Sequence, residues 1–340
     1  MIHIYAKVKA NVKVKNQIIY NLSYKYHIMV FLSIVVPCYN EEENIEMFQN
    51  EIEKTIGNYD FEIIFINDGS SDNTLKNIKK LAKTKENVKF ISFSRNFGKE
   101  AAIFAGLKNA KGDYVTLMDA DLQHPPSLLP EMLESVQKDD CDIAAARRVS
   151  RKGEPKIKSF FSHRFYTFFN RISKIDLVEG ATDYRTMTRQ VVDSLLELKE
   201  YNRFSKGLFE WVGFETQWIE YENVERIAGK TTWSFWGLVK YSIEGIVSFT
   251  TMPLSISIFL GSVFSTIAFI YMIIIIVKYL LYSDPVQGFA TIMCAVLFLG
   301  GIQLLSIGAL GTYLGKTYTE SKNRPIYIVK ESNVSDKDEA

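Results

Sequence analysis

From Leu32 onward, short apolar runs of strand length alternate with longer stretches whose apolar positions recur at helical spacing. Residues 32–37, 61–67, 88–93, 114–118 and 142–146 read as strands. Residues 42–56 place Ile45, Phe48, Ile52 and Ile56 on one helical face, and a further helix is expected over 99–110. Strand and helix in alternation predict an α/β fold with an open, mostly parallel sheet covered by helices. Ligands bind such sheets beyond the carboxyl ends of the strands. Here those ends read Pro37-Cys38-Tyr39-Asn40-Glu41, Asn67-Asp68-Gly69-Ser70, Ser94-Arg95-Asn96 and Asp119-Ala120-Asp121, so four polar clusters converge on one edge.

A second pattern takes over later. Residues 245–277 and 285–315 carry no charged side chain. About 20 apolar residues span a bilayer, so two transmembrane helices are expected, roughly 253–281 and 289–313. Two buried helices of a large soluble core are the competing explanation, but helices of soluble proteins average only about 11–12 residues. The linker at 283–289 is too short for a domain, which makes the pair a hairpin with both chain ends on one side. It has neither Lys nor Arg, whereas Lys240, Lys316, Lys322 and Arg324 flank the other ends. Excess positive charge marks the cytoplasmic side. The expectation is a multi-pass protein of the cytoplasmic membrane with its bulk in the cytoplasm. Gly300-Gly301 and Gly308 with Gly311 offer close-packing surfaces, from which a homo-oligomer is expected.

The expected organisation is a basic N-terminal extension at 1–30, a cytoplasmic domain at 31–230, an amphipathic juxtamembrane segment at 231–251, the two spans within 252–315, and a cytoplasmic C-terminal segment at 316–340. The extension carries Lys7, Lys9, Lys13, Lys15 and Lys25 without an acid and lacks the apolar region of a signal peptide. Trp233, Phe235, Trp236 and Tyr241 suit a helix lying on the membrane surface.

Composition narrows the class. With 47% hydrophobic and 23% charged residues the chain is neither disordered nor collagen-like. Its 40 basic and 39 acidic residues nearly cancel, so no nucleic-acid partner is expected and any basic site must be local. Cys38, Cys141 and Cys294 lie far apart and form no zinc spacing, which points to a reducing compartment.

Candidate chemistry sits at the strand ends. Asp119 and Asp121 leave a buried strand with the small Ala120 between them, and alternation puts both carboxylates on one side, where they could hold Mg²⁺ or Mn²⁺ against a diphosphate. Gly69 permits a tight turn after Asp68, with Ser71 or Asp72 available to cap the next helix. Arg95 and Lys99 stand just ahead of a helix, a plausible diphosphate contact. Arg147, Arg148, Arg151, Lys152, Lys156, Lys158 and Arg164 form a basic stretch able to hold a lipid phosphate near the membrane.

The segments VVPCYNEEEN, INDGSSD, SRNFGKEAA, MDADLQHPP, TDYR, NRFSKGLFEWVGF and NRPIY, in that order, resemble the inverting GT-A glycosyltransferases that act on polyprenyl phosphate, related to bactoprenol glucosyltransferase and dolichyl-phosphate mannose synthase. The resemblance runs from about residue 32 to 329. It implies a GT-A domain, a nucleotide diphosphate sugar as donor, polyprenyl phosphate as acceptor, membrane lipid as surroundings, and Mg²⁺ or Mn²⁺ as cofactor. Pro37, Tyr39, Asn40, Glu41, Asp68, Gly69 and Ser70 would form the nucleoside pocket, with Arg95, Lys99 and Asp119 towards the diphosphate. Asp119 and Asp121 would hold the metal and Gln123 would face the sugar. Asp183 and Arg185, matching an Asp-Phe-Arg motif, would stand beside the reaction centre with Asp121 and Gln123. Arg148 and Arg151, joined by Arg203 and Arg226, would bind the acceptor phosphate. Thr231-Thr232 stand where relatives usually carry Ser-Lys, which weakens a lysine contact there, though Lys230 could serve instead.

The reaction implied is transfer of a single sugar with inversion, giving a lipid-linked sugar for cell-envelope glycosylation. UDP-glucose or UDP-N-acetylglucosamine is favoured as donor, with GDP-mannose behind. A processive polysaccharide synthase would need more spans and a Gln-x-x-Arg-Trp motif, neither of which is found. The intact Asp68, Asp119, Asp121 and Arg185 count against an inactive sugar-nucleotide-binding scaffold.

Overall fold

The computed structural model describes residues 30–149, 156–173, 175–222, 242–243, 245–282 and 288–334. Arg151, Arg226, Lys230, the aromatic segment at 233–241 and most of the N-terminal extension and hairpin linker lie outside them.

All five strands read from the sequence are present: β1 (Phe31–Cys38), β2 (Asp60–Asn67), β3 (Val88–Phe93), β4 (Tyr114–Leu117) and β5 (Ile143–Arg148). Helices α1 (Ile45–Ile56), α2 (Thr74–Thr84), α3 (Lys99–Asn109) and α4 (Leu129–Gln137) connect them. Ile45, Phe48, Ile52 and Ile56 are all buried, as their spacing required. The first helix begins at residue 45 rather than 42, because the chain before it is tied to the β2–α2 loop. Glu41 N–H donates to Thr74 Oγ1 at 2.8 Å and Glu42 N–H to Asp72 Oδ2 at 3.2 Å, which holds this stretch as a turn ahead of the helix.

The chain continues through α5 (Lys156–Ile172), β6 (Ala181–Thr188), α6 (Arg189–Glu197), α7 (Ser205–Trp211) and β7 (Thr216–Tyr221), then α8 (Met252–Tyr282), α9 (Phe289–Ser321) and β8 (Val329–Ser332). One sheet results, in the order β7-β5-β6-β4-β1-β2-β3-β8. β1 is parallel to β2 and β4, β2 to β3, and β5 to β7. β6 runs antiparallel to β4 and β5, and β8 antiparallel to β3. Leu32, Ile34 and Val36 face the layer containing α1 and α4, while Val35 joins the opposite core with α3. A sheet covered on both faces needs strands apolar on both. The chain leaves β1 to one side for β2 and β3, then returns to the other side of β1 for β4. A crevice at such a reversal is where open α/β sheets bind ligands, and it opens between the ends of β1 and β4.

α8 and α9 agree with the two expected spans in position. Their most apolar windows, Met252–Tyr271 and Phe298–Ser321, are 0% buried inside the molecule. Ile258, Phe259, Leu304 and Leu305 are all exposed, so these helices are not the core of a soluble domain. Their length and apolar character suit a membrane. α9 runs eight residues beyond the expected 313, because its polar last turns dock on the sheet domain: Lys316 Nζ donates to Ser248 Oγ at 2.9 Å, and Glu320 accepts the N–H groups of Tyr201 and Asn202 at about 3 Å. Gly300, Gly301, Gly308 and Gly311 have open space where a side chain would stand.

Candidate active site

The loops after β1 and β2 are laced together. Asn40 adopts φ 56°, a left-handed conformation that Asn tolerates better than most residues. This lets its N–H donate to Ser70 Oγ at 3.0 Å while its Oδ1 accepts Ser71 N–H at 2.9 Å. Tyr39, at the rim, stays 45% exposed, leaving a ring face for a ligand. Asp68 is buried, and its two oxygens accept the N–H groups of Phe97 at 2.6 Å and Gly98 at 2.9 Å. Burial pushes its carboxyl upward, against those two bonds. Asp68 therefore holds the β3–α3 loop. The turn behind it needs Gly69, whose φ is +64° and where a Cβ would stand 2.4 Å from the Arg95 carbonyl carbon.

Lys99, the first residue of α3, stands at the centre. Its Nζ is 2.7 Å from Asp119 Oδ1 and 2.6 Å from Asp183 Oδ2. Burial opposes charge on all three groups, but mutual attraction outweighs it. Asp119 and Asp183 are held below the usual carboxylate range, and Lys99 above the usual ammonium range. The Lys99 side chain is still 42% exposed, so an incoming anion can reach it. His124 Nε2 lies 3.5 Å from Asp119 Oδ2, and His124 Nδ1 is 2.9 Å from the Tyr221 hydroxyl. Asp121 is buried and accepts Gln123 N–H at 3.2 Å. Between them Leu122 has φ 55°, strained for a bulky residue and of the kind found at functional sites; it reverses the chain immediately after the two carboxylates.

Arg185 is buried at 1% exposure, with its guanidinium 3.6 Å from the Phe209 ring centroid and one N–H donated to Thr182 O at 3.0 Å. Burial pulls it down to about 10, with Asp183 and Glu210 working in the opposite direction. Its Nε and second terminal nitrogen have no hydrogen-bond partner.

The cluster fits a hard divalent cation. Among the described residues no three His, Cys, Asp or Glu side chains gather to cage an ion. Mg²⁺, however, characteristically takes one or two carboxylates and completes its shell with substrate phosphates and water. Asp119 and Asp121 are such a pair, and Asp119 already attracts a cation in Lys99 Nζ.

Residues 33–196 match the family described as "Glycosyl transferase family 2". "Putative glycosyltransferase CsbB" of Bacillus subtilis is 47% identical over 309 residues, 90% of this chain and 93% of the relative. The chain belongs to this glycosyltransferase family. A "Prophage bactoprenol glucosyl transferase homolog" of Escherichia coli is 42% identical, over 88% of this chain and 98% of that one. The "SfII prophage-derived bactoprenol glucosyl transferase" of Shigella flexneri is 41% identical, over 89% and 98%. Among solved structures, the mannosyltransferase PcManGT of Pyrobaculum calidifontis, in complex with GDP-Man and Mn²⁺, overlaps 64% of this chain and 63% of its own at 15% identity, with a TM-score of 0.46. Membership rests on the sequence relatives.

Within this glycosyltransferase, Asn40 is bonded to Ser70, Asp68 holds the loop that leads to Lys99, and Lys99 joins Asp119 and Asp183. The acceptor residues are more scattered. Arg148 ends β5, its N–H donating to Gly180 O at 2.9 Å. Arg203 turns its guanidinium to the carbonyl oxygens of Leu195 and Leu198 at the end of α6 and lies 4.7 Å from the Phe104 ring centroid. That makes it a cap on the end of α6. Arg151 and Arg226 lie outside the described residues. Sequence reading does not single out Tyr221, the partner of His124, although Ile219, Glu220 and Tyr221 alternate inward, outward and inward. Nor does it single out Glu100, whose carboxylate accepts both the N–H and the hydroxyl of Ser205 at the start of α7.

Proposed function

We propose that this glycosyltransferase moves one sugar from a nucleotide diphosphate sugar, UDP-glucose or UDP-N-acetylglucosamine first, to polyprenyl phosphate with inversion. The product is a lipid-linked sugar for cell-envelope glycosylation. The observation that carries this reading is the extent of the likeness to proteins named bactoprenol glucosyl transferase, which takes in 98% of those chains. The exposed apolar helices fit a lipid acceptor, and the crevice fits a diphosphate.

In this reading Tyr39, Asn40 and Ser70 border the nucleoside, and Asp68 shapes the loop that carries Arg95 and Lys99 to the diphosphate. Asp119 and Asp121 would hold Mg²⁺ or Mn²⁺, which when bound neutralises charge on the departing diphosphate. Lys99 adds a fixed positive charge where the leaving group's negative charge grows, and fixed charge aimed at a transition state is the largest single contribution in many enzymes. An acceptor phosphate oxygen attacks the anomeric carbon as the bond from that carbon to the diphosphate oxygen breaks, and the nucleoside diphosphate leaves with the electron pair. A phosphate is already anionic at neutral pH, so no group need remove a proton, and Asp183 orients the acceptor. Arg148 and Arg151 receive its phosphate. Purified protein, undecaprenyl phosphate and a panel of UDP-glucose, UDP-N-acetylglucosamine and GDP-mannose test this, read by the mass of the lipid product. One added hexose or N-acetylhexosamine is expected from a UDP donor. Product from GDP-mannose alone, no product, or a ladder of several sugars would each reject it.

A further inference from the structure

The loop between β3 and α3 carries Arg95 and Lys99, and it is held from two sides. Asp68 grips its far half through the N–H groups of Phe97 and Gly98. The near half is held by the chain returning from the membrane helices. Ile328 O accepts Ser94 N–H at 3.0 Å. The Tyr327 ring stacks on Phe93, the last residue of β3, at 4.9 Å between centroids and 18° between planes. The same ring meets Phe104 of α3 at 6.5 Å, edge-on. Phe93 in turn meets Phe97 edge-on at 5.8 Å, and the Arg95 guanidinium lies 4.0 Å from the Phe97 ring centroid. A continuous stack of rings thus runs from the C-terminal segment to Arg95.

We infer that Tyr327 is a positioning residue for the donor diphosphate: wedged between β3 and α3, its ring sets the span of the loop between them and so the placement of Arg95 and Lys99. Asp68 reaches only the end of the loop: Gly98, gripped through its N–H, also opens α3, its carbonyl accepting Ala102 N–H at 3.2 Å. The seat of α3 therefore decides where Lys99 points, and Tyr327 fixes that seat against β3. The segment is itself well anchored beyond the wedge. Asn333 Oδ1 accepts Phe90 N–H at 2.6 Å, its Nδ2 donates to Val88 O at 3.2 Å, and Lys79 pairs with Glu331. The inference rests on the donor reading of Arg95 and Lys99 given above.

The test uses the full-length protein in detergent and nucleotide binding by calorimetry with Mg²⁺, UDP and GDP being the probes and the tighter one carried forward. Tyr327→Ala is expected to weaken nucleotide binding about tenfold, the scale of removing two aromatic ring pairs at once. Its acceptor KM should be unchanged. Tyr327→Phe keeps the stack and should stay within about threefold of the parent. Tyr327→Leu, which fills the wedge without a ring, takes the place of the alanine form should that lose its fold. Lys79→Ala removes an anchor of β8 remote from the wedge and should bind nucleotide normally. If Tyr327→Ala binds as the parent does while Arg95→Ala and Lys99→Ala bind weakly, the inference fails and the donor reading stands. If Arg95→Ala and Lys99→Ala also bind normally, the donor reading itself fails and takes the inference with it. A loss in Lys79→Ala equal to that in Tyr327→Ala would mean general loosening of β8 and would equally overturn it.

Discussion

At the scale of single residues, the crevice gathers carboxylates around one ammonium that solvent can reach. Lys99 pairs with both Asp119 and Asp183, one positive charge against two negative, and in the proposed reading Asp121, buried two residues from Asp119, would complete a metal site with it. Asp121→Asn keeps the shape and removes the charge. It should lower kcat/KM about a hundredfold or more, the scale of losing one preorganised electrostatic contact, with the melting midpoint little changed. Turnover at the parent rate with the same metal dependence would remove Asp121 from the metal site. Arg148 stands on the far side of β6, at the end of β5, and should separate acceptor from donor. Arg148→Ala is expected to raise the acceptor KM about tenfold to a hundredfold, since a charge-assisted hydrogen bond contributes about 1.5–3 kcal/mol. UDP affinity by calorimetry should stay level. A tenfold fall in UDP affinity with normal acceptor dependence would assign Arg148 to the donor instead.

At the scale of elements, the start of α7 is tied to the start of α3 by Glu100 and Ser205. Glu100 lines a cavity of about 180 Å³ that Arg203 and Lys316 also line. Burial pushes its carboxyl up to about 7, Asp183 adding to the rise while Ser205 and Lys99 oppose it. The folded protein thus keeps a proton that the unfolded chain gives up near pH 4.3. This contribution to stability is present below that value and fades as pH rises through 7. Relative to the parent, Glu100→Gln should gain about 2.5 kcal/mol in going from pH 5 to pH 8, read as the difference between their melting midpoints at each pH. A difference independent of pH would show that Glu100 is ionised throughout. The elements also divide by how well the sequence announces them. β1 to β5 are apolar runs and are legible as such. β6 hides Arg185 and a buried Thr116–Thr186 hydroxyl pair, so its polar spelling resembles a loop. β8, Val-Lys-Glu-Ser, has no inward pattern at all and exists because the β3 edge accepts it. The carboxylates are legible because a strand end displays them; the Tyr221–His124 and Glu100–Ser205 pairs are not, because each joins residues about a hundred positions apart.

At the scale of the whole molecule, two long apolar helices leave the sheet domain and the chain returns to it. In the orientation expected from the flanking charges, the linker at 283–289 faces outward and the sheet domain faces the cytoplasm. On a cysteine-free background, cysteine at Ser283 should react with an impermeant thiol reagent in intact cells, and cysteine at Ser70 only after lysis. Labelling at Ser70 and not at Ser283 would invert the topology. The return itself bears on how the protein can be made. β8, the last strand among the described residues, is translated after both apolar helices, yet it covers β3, which is complete before either helix has left the ribosome. Until the hairpin is in place, β3 is a bare edge with unpaired backbone groups, open to pairing with other chains. A soluble fragment cut before residue 252 would keep that edge bare permanently, so such fragments should associate or aggregate, while supplying residues 323–334 as a separate peptide should restore them to single copies.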